Sequence, residues 1–368
     1  MLNAQLHAII ASLALFRAGF FATHMKIKTG NLLKIGVSLI LLIVVIATVG
    51  AENLLDALRD IDLRWFALAL AIHLIGVGIR AYRWWLLIAS LGAPVAFGRL
   101  VYLYFAGTFF NTFLPTGIGG DVVKIIELSP ERGGAKAFST VFADRLTGLL
   151  GSSLIALIVA LIDPADVPQD VLTFVGVVSA GILVTTALLT QGKLFDRLIW
   201  QSRFFSNLPF AGRIHKVYVA LTLYSIGAIV RSTFVSLPFT ATLIATQVVL
   251  SIALGLSVDV RYFMLFTPIV ALTLVLPISF NGLGVREGAY GVLFASVGVA
   301  GADAVAISLL YTIVRVLTGL FGGVLYVIGN LRGQNVNQQT PALAPERGAG
   351  ASVSELANQP SVTPPPTR

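Results

Sequence analysis

Two short stretches carry most of the polar chemistry in an otherwise apolar chain. Phe109 to Lys124 reads FFNTFLPTGIGGDVVK, and Leu276 to Gly288 reads LPISFNGLGVREG. Each sets a Leu-Pro pair before glycines and a basic side chain, and Pro115 to Lys124 and Pro277 to Arg286 both span nine positions. Proline removes a backbone donor, and glycine lets backbone approach a ligand closely. The two stretches are therefore expected to be paired breaks in helices, with hinge positions at Pro115, Gly117, Gly119, Gly120, Pro277, Gly282 and Gly284. Helices starting near Asp121 and near Arg286-Glu287 would turn backbone N–H groups toward an anion, and Lys124 and Arg286 would add charge at matching places. The same glycines also suit tight turns and close helix crossings, and both readings stand for any one of them.

Further charges lie inside apolar runs, at Asp144-Arg145 and at Arg315. A charged side chain within a membrane span costs about 2.5–3.5 kcal/mol even on the lenient insertion scale. Arg145 and Arg315 therefore either lock helices together, through an Asp–Arg pair or backbone carbonyls, or present guanidinium forks to a phosphate. Asn111 and Asn281 are expected to satisfy exposed backbone in the breaks. Arg80 and Arg83, beside Tyr82, Trp84 and Trp85, read as interfacial anchors. The candidate substrate-binding set is Asn111, Asp121, Lys124, Asp144, Arg145, Asn281, Arg286, Glu287 and Arg315. His7, His24, His73 and His215 lack metal-ligand spacing, and no triad or carboxylate pair suggests catalysis, so no metal, no cofactor and no enzyme activity is expected.

Composition fixes where these residues must sit. The 368 residues are 57% hydrophobic and 11% charged, with a mean hydropathy of +0.89. Soluble domains carry about 25% charged residues, so this is a polytopic membrane protein. Apolar runs of about twenty residues suit helices across a core of roughly 30 Å, and the ten-residue alternation of a membrane barrel is absent. The net charge of +8 fits loop cations and cations within the membrane better than nucleic-acid binding. With no cysteine, disulfides and zinc-thiolate sites are excluded.

Residues 1–31 are expected to be an N-terminal segment, either interfacial or signal-like or a start-site extension ahead of a true start at Met25. Spans follow near Leu32–Gly50, Trp65–Leu86, Ala137–Ile162, Val171–Thr190, Ser232–Leu256 and Ala304–Ile328, with interfacial helix and linker near 193–227. Cations cluster at Lys26, Lys28 and Lys34, at Arg80, Arg83 and Arg99, and at Lys124, Arg132 and Lys136. The positive-inside rule makes both termini cytoplasmic. It also returns the stretch between Leu100 and Gly120 to the side it entered, as a re-entrant element. Irregular backbone at that depth must be buried in protein or line a wet cavity. Gly92 lies 23 residues before Pro115 and Gly255 lies 22 before Pro277, while Arg145-Leu-Thr-Gly-Leu-Leu-Gly151 resembles Arg315 to Gly322. Halves of about 32–162 and 171–330 thus form an inverted-topology repeat of the kind that builds transporter sites at the midplane. Residues 331–368, ending PSVTPPPTR, are expected to be a disordered, Pro-rich cytoplasmic tail.

Taken in order, NTFLP-x3-GGD-x2-K, DRLTGLLG, LPISFNGLGVREGAYGVL and a closing R-x3-GLFGG resemble the flippase-like transmembrane family that includes the membrane portion of lysylphosphatidylglycerol synthases. The resemblance covers roughly Leu32–Asn330 and implies an all-α membrane protein with two re-entrant segments around a central cavity. It also implies translocation of lipid between the leaflets of a bacterial inner membrane. An arginine follows the GD element in that family's pattern, whereas Lys124 here keeps the charge without the fork. No soluble aminoacyltransferase domain is expected after Asn330. The expected partners are membrane lipids, with an accessory role to a lipid-modifying transferase as the alternative.

Overall fold

The computed structural model describes residues 51–59, 61–92, 95–114, 118–162, 169–190, 222–274 and 281–339, with isolated positions at 43, 46–47, 219 and 279. The N-terminal segment 1–31, the span expected at 32–50, most of 193–227 and the tail beyond 339 lie outside the described residues. So do Pro115, Gly117 and Pro277. The chain divides into two units, Met1–Tyr326 and Val327–Arg368. All packing described below is within the first; of the second, only the end of the last helix is described.

The described residues are helical, with no strand among them. The helices are α1 (Ala51–Arg59), α2 (Leu63–Ala89), α3 (Phe97–Phe113), α4 (Gly119–Arg132), α5 (Gly134–Ile162), α6 (Gln169–Thr190), α7 (Ile226–Ala253), α8 (Val260–Thr273), α9 (Val285–Ala295) and α10 (Gly301–Gln339). Among the described residues α2, α5, α7 and the Gly301–Gly329 part of α10 are long and apolar enough to cross a membrane. The protein is thus an all-α, multi-pass membrane protein.

Helix α7 lies antiparallel along α2. The Asp62 N–H, at the start of α2, donates to the Ala253 carbonyl at the end of α7 at 2.9 Å. Further along, a Cβ on Gly76 would meet the Thr242 hydroxyl at 2.6 Å. Helix α5 crosses the same pair, and Gly151 gives it the closeness: a Cβ there would lie 2.3 Å from Ser236 Cβ. In the turn between α7 and α8, Arg261 donates to Asp259 through side chain and backbone, which holds that exposed carboxyl below its usual range.

Both glycine-proline stretches are breaks between helices. Leu114 ends α3 in an extended conformation (φ −90°, ψ 137°), as the residue before a proline must. Helix α4 restarts at Gly119 and turns back against α3 so tightly that a Cβ on Gly120 would lie 1.8 Å from the Gly107 carbonyl oxygen. The other side of α3 meets α10 just as closely, with a Cβ on Gly322 falling 2.1 Å from the Phe105 oxygen. In the second break Asn281 (φ 51°), Gly282 (φ 83°) and Gly284 (φ 80°) adopt left-handed backbone, which ends one helical path and redirects the chain into α9. Helices α8 and α9 bury Phe263, Phe266, Tyr290 and Phe294 with Ala156 of α5 and Ile307 of α10 in one apolar cluster.

Candidate functional site

Where these helices meet they leave a cavity of about 460 Å³. Its wall includes Asn111, Asp121, Lys124, Asp144, Arg145, Asn281, Arg286 and Arg315, so eight of the nine substrate-binding candidates from the sequence converge on one space. His73, Arg80, Arg83, Tyr104, Gln247 and Tyr311 join them.

On the α2–α5 side, Arg83 and Asp144 are 2% and 3% exposed and form a 2.8 Å ion pair. The Tyr104 hydroxyl donates to the second Asp144 oxygen at 2.7 Å, and Arg83 donates to Ser236 at 2.9 Å. Gly148 makes the room, since a Cβ there would sit 2.8 Å from the Arg83 guanidinium. Arg80 donates to the Tyr104 hydroxyl at 3.1 Å and lies 5.0 Å from the Tyr104 and Phe239 ring centroids. Neither arginine is the interfacial anchor expected from its neighbours: both face inward. The signal was the spacing, because His73, Arg80 and Arg83 recur at seven and three positions, one face of a helix.

At the first break, Lys124 is 3% exposed, with its ammonium 3.3 Å from the Tyr104 ring centroid and 3.8 Å from Asp121. It is a cavity group, not one in cytoplasmic water. Arg145, whose side chain is 47% exposed, pairs with the other Asp121 oxygen. Asn111 accepts the Gly120 N–H at 2.8 Å. At the second break Asn281 is the hub. Its side-chain oxygen accepts from Arg315 at 2.7 Å, its backbone oxygen accepts from Arg286 and Arg315 at 3.4 Å each, and its amide donates to the Thr112 carbonyl of α3 at 3.4 Å. Arg286, 4% exposed, also donates to Thr312 at 3.1 Å.

Two expectations need correction. Glu287 does not line the cavity; it is fully buried, accepts the Gly284 N–H at 2.7 Å and accepts hydroxyl bonds from Ser308 and Thr312. Gly120 and Gly284 do not hold open N–H groups for an anion. The protein's own Asn111 and Glu287 occupy them, because a helix start inside a membrane protein must satisfy its donors locally.

The wall therefore holds six basic side chains, Arg80, Arg83, Lys124, Arg145, Arg286 and Arg315, against the carboxylates of Asp121 and Asp144, a formal excess of four positive charges. The excess is concentrated at the second break, where neither Arg286 nor Arg315 forms an ion pair among the described residues. Such an arrangement has the charge and the donors to hold an anion.

The family model described as the lysylphosphatidylglycerol synthase TM region matches residues 31–323. The chain belongs to this family. It is also similar to a UPF0104 membrane protein of Pyrococcus horikoshii, 25% identical over 325 residues that cover 80% of this chain and 95% of that relative. No solved structure matches the chain at the same level of significance. In this lysylphosphatidylglycerol synthase-like chain the family match takes in both breaks and every cavity residue named above.

Proposed function

We propose that the protein is a lipid translocator that moves an anionic phospholipid, an aminoacylated phospholipid or a lipid-linked phosphate between the leaflets of a bacterial inner membrane. The observation that carries this reading is the excess of four cations around a 460 Å³ cavity walled by membrane-spanning helices. That volume falls in the range of about 300–1,000 Å³ typical of small-molecule sites, enough for a headgroup while the tails remain in lipid. Buried guanidinium groups without carboxylates are costly in a membrane, and a bound phosphate offsets that cost through paired, charge-assisted hydrogen bonds. In this reading Arg286 and Arg315 grip the phosphate, Lys124 and Arg145 meet it from the first break, and the two breaks open alternately as halves of an inverted repeat. Both termini are cytoplasmic, and no chemical step is assigned to the protein.

The test is reconstitution into liposomes carrying trace acyl-labelled lipids, with leaflet exchange followed by quenching of the outer label. Exchange faster than in protein-free vesicles for at least one phosphate-bearing lipid is expected. Equal exchange with and without protein across a panel of anionic, aminoacylated and isoprenoid lipids refutes the reading.

A second reading has an observation of its own. Arg83 with Asp144, and Arg145 with Asp121, are ion pairs that lock helices, as a membrane anchor or accessory subunit of a lipid-modifying transferase would need. Under that reading Arg145→Ala and Arg315→Ala lower folded yield in proportion to activity; under the translocator reading well-folded variants lose transport.

A further inference from the structure

The six cations of the cavity wall are not chemically alike. Arg80, Arg83, Arg145, Arg286 and Arg315 keep their charge at every accessible pH, because a guanidinium does not release its proton in a protein. Lys124 is the one that can, since a lysine amine titrates readily once buried. Its setting is unusual for a lysine, which ordinarily snorkels toward water. The stem lies against α3 where Gly107 leaves room, a Cβ there falling 2.8 Å from Lys124 Cε. The ammonium ends 3.3 Å from the Tyr104 ring centroid and 5.4 Å from that of Trp84. Asp121, at 3.8 Å, is too far for a hydrogen bond and is already paired with Arg145. Among the described residues, the N–H donors of this 3% exposed side chain therefore have no acceptor at hydrogen-bond distance.

The charges facing Lys124 oppose one another. Asp121 on its own helix and Asp144 of α5 favour the ammonium, while Arg80 of α2 and Arg145 of α5 work against it. Tyr104 of α3 and Trp84 of α2 offer it ring faces only. Both carboxylates are engaged by arginines, Asp144 by Arg83 and Asp121 by Arg145. What else enters the cavity then decides whether the proton is held. An anion beside Lys124 supplies the missing acceptor and a negative charge together, and so holds the ammonium. Its departure removes both and frees the amine to release the proton.

We infer that Lys124 is a proton-binding site coupled to the anion site, so that the loaded cavity holds a proton and the empty cavity releases it. The proton passes from water to the lone pair of the Lys124 amine as the anion enters. It returns from the ammonium to water as the anion leaves on the other side. A singly charged phosphodiester and its proton thus cross without net charge, and a transmembrane pH difference, not the electrical potential, drives the lipid. This deepens the translocator reading and rests on its assignment of the cavity to a lipid phosphate.

The coupling is measured as binding, apart from transport. Dihexanoyl phosphatidylmethanol, a phosphodiester whose single charge does not change with pH, is titrated calorimetrically into the detergent-solubilised full chain. The range runs from about pH 7 to about pH 9, where an ordinary imidazole is mostly neutral and a phenol mostly protonated. Wild-type affinity is expected to fall about tenfold across it, the loss of one charged hydrogen bond. The heat should also vary with the buffer's ionisation enthalpy in the sense of proton uptake. Lys124→Arg, charged throughout, should lose both effects. Lys124→Met, neutral throughout, should bind at every pH about as weakly as the wild type does at the alkaline end, and it leaves Asp121 paired with Arg145. Absent or pH-independent binding overturns the inference, as does a pH dependence that survives in either variant. Proton uptake without exchange of labelled lipid in vesicles refutes the translocator reading and leaves the coupling standing; exchange with pH-independent binding does the reverse.

Discussion

Asp144→Asn is the sharpest probe of how the cavity wall is held. Asp144 sits between Arg83, 2.8 Å from one carboxylate oxygen, and the Tyr104 hydroxyl, 2.7 Å from the other, with both ionic partners no more than 3% exposed. Asparagine keeps the shape but removes the charge, and its single carbonyl oxygen cannot serve both donors. Arg83 is left buried, its remaining side-chain bond the one to Ser236. Breaking a buried pair in this way costs about 3–5 kcal/mol. Arg83→Met leaves Asp144 uncompensated and should cost a similar amount, whereas Arg83→Met combined with Asp144→Asn removes both charges and should cost far less than the sum of the two. The coupling energy is therefore expected to be at least about 3 kcal/mol. Reversible unfolding in mixed micelles titrated with dodecyl sulfate measures it. Trp84 fluorescence is a suitable signal, because the Trp84 indole donates to Thr140 of α5 at 3.2 Å and so reports contact between α2 and α5. A loss below about 1 kcal/mol for Asp144→Asn, or additive single variants, refutes the claim that this pair locks the wall.

Three other outcomes follow from the geometry. Arg286→Gln and Arg315→Gln should each reduce lipid exchange at least tenfold, as roughly 1.5–3 kcal/mol per charged hydrogen bond implies, while thermal stability changes little, because removing a buried cation that has no ion pair among the described residues offsets the bonds lost to Asn281 and Thr312. Gly120→Ala should lower folded yield sharply, since its Cβ would lie 1.8 Å from the Gly107 oxygen, and overpacking against backbone costs about 1–3 kcal/mol or more. Gly107→Ala meets mainly the flexible Lys124 side chain, at 2.8 Å, and should be milder in the same thermal assay. Asn281→Gly keeps the left-handed backbone but removes the bonds to Arg315 and Thr112. It should leave the fold intact and weaken phosphate-probe binding, whereas Asn281→Ala adds about 1–2 kcal/mol of backbone strain.

The breaks and the charges they carry were legible in the sequence because each departs from what lipid allows. Proline-glycine runs at Phe109–Lys124 and Leu276–Gly288, and Asp144-Arg145 and Arg315 within apolar helices, are too costly to be incidental. Eight of the nine residues chosen on that ground line the cavity. What the sequence hid is which polar groups satisfy each other across helices. Asn111 caps Gly120 from nine residues away, a local pairing that the break itself suggests, but Arg83 meets Ser236 across 153 residues and Asn281 meets Thr112 across 169. No periodicity within one helix encodes such partners. The same limit explains Glu287. Beside Arg286 in sequence it reads as a headgroup ligand, yet on a helix adjacent residues point some 100° apart. Arg286 turns to the cavity, and Glu287 turns into the wall to cap the start of its own helix. With Glu287 engaged there, no cavity carboxylate among the described residues pairs with Arg286 or Arg315. That leaves the positive charge of the second break for a ligand.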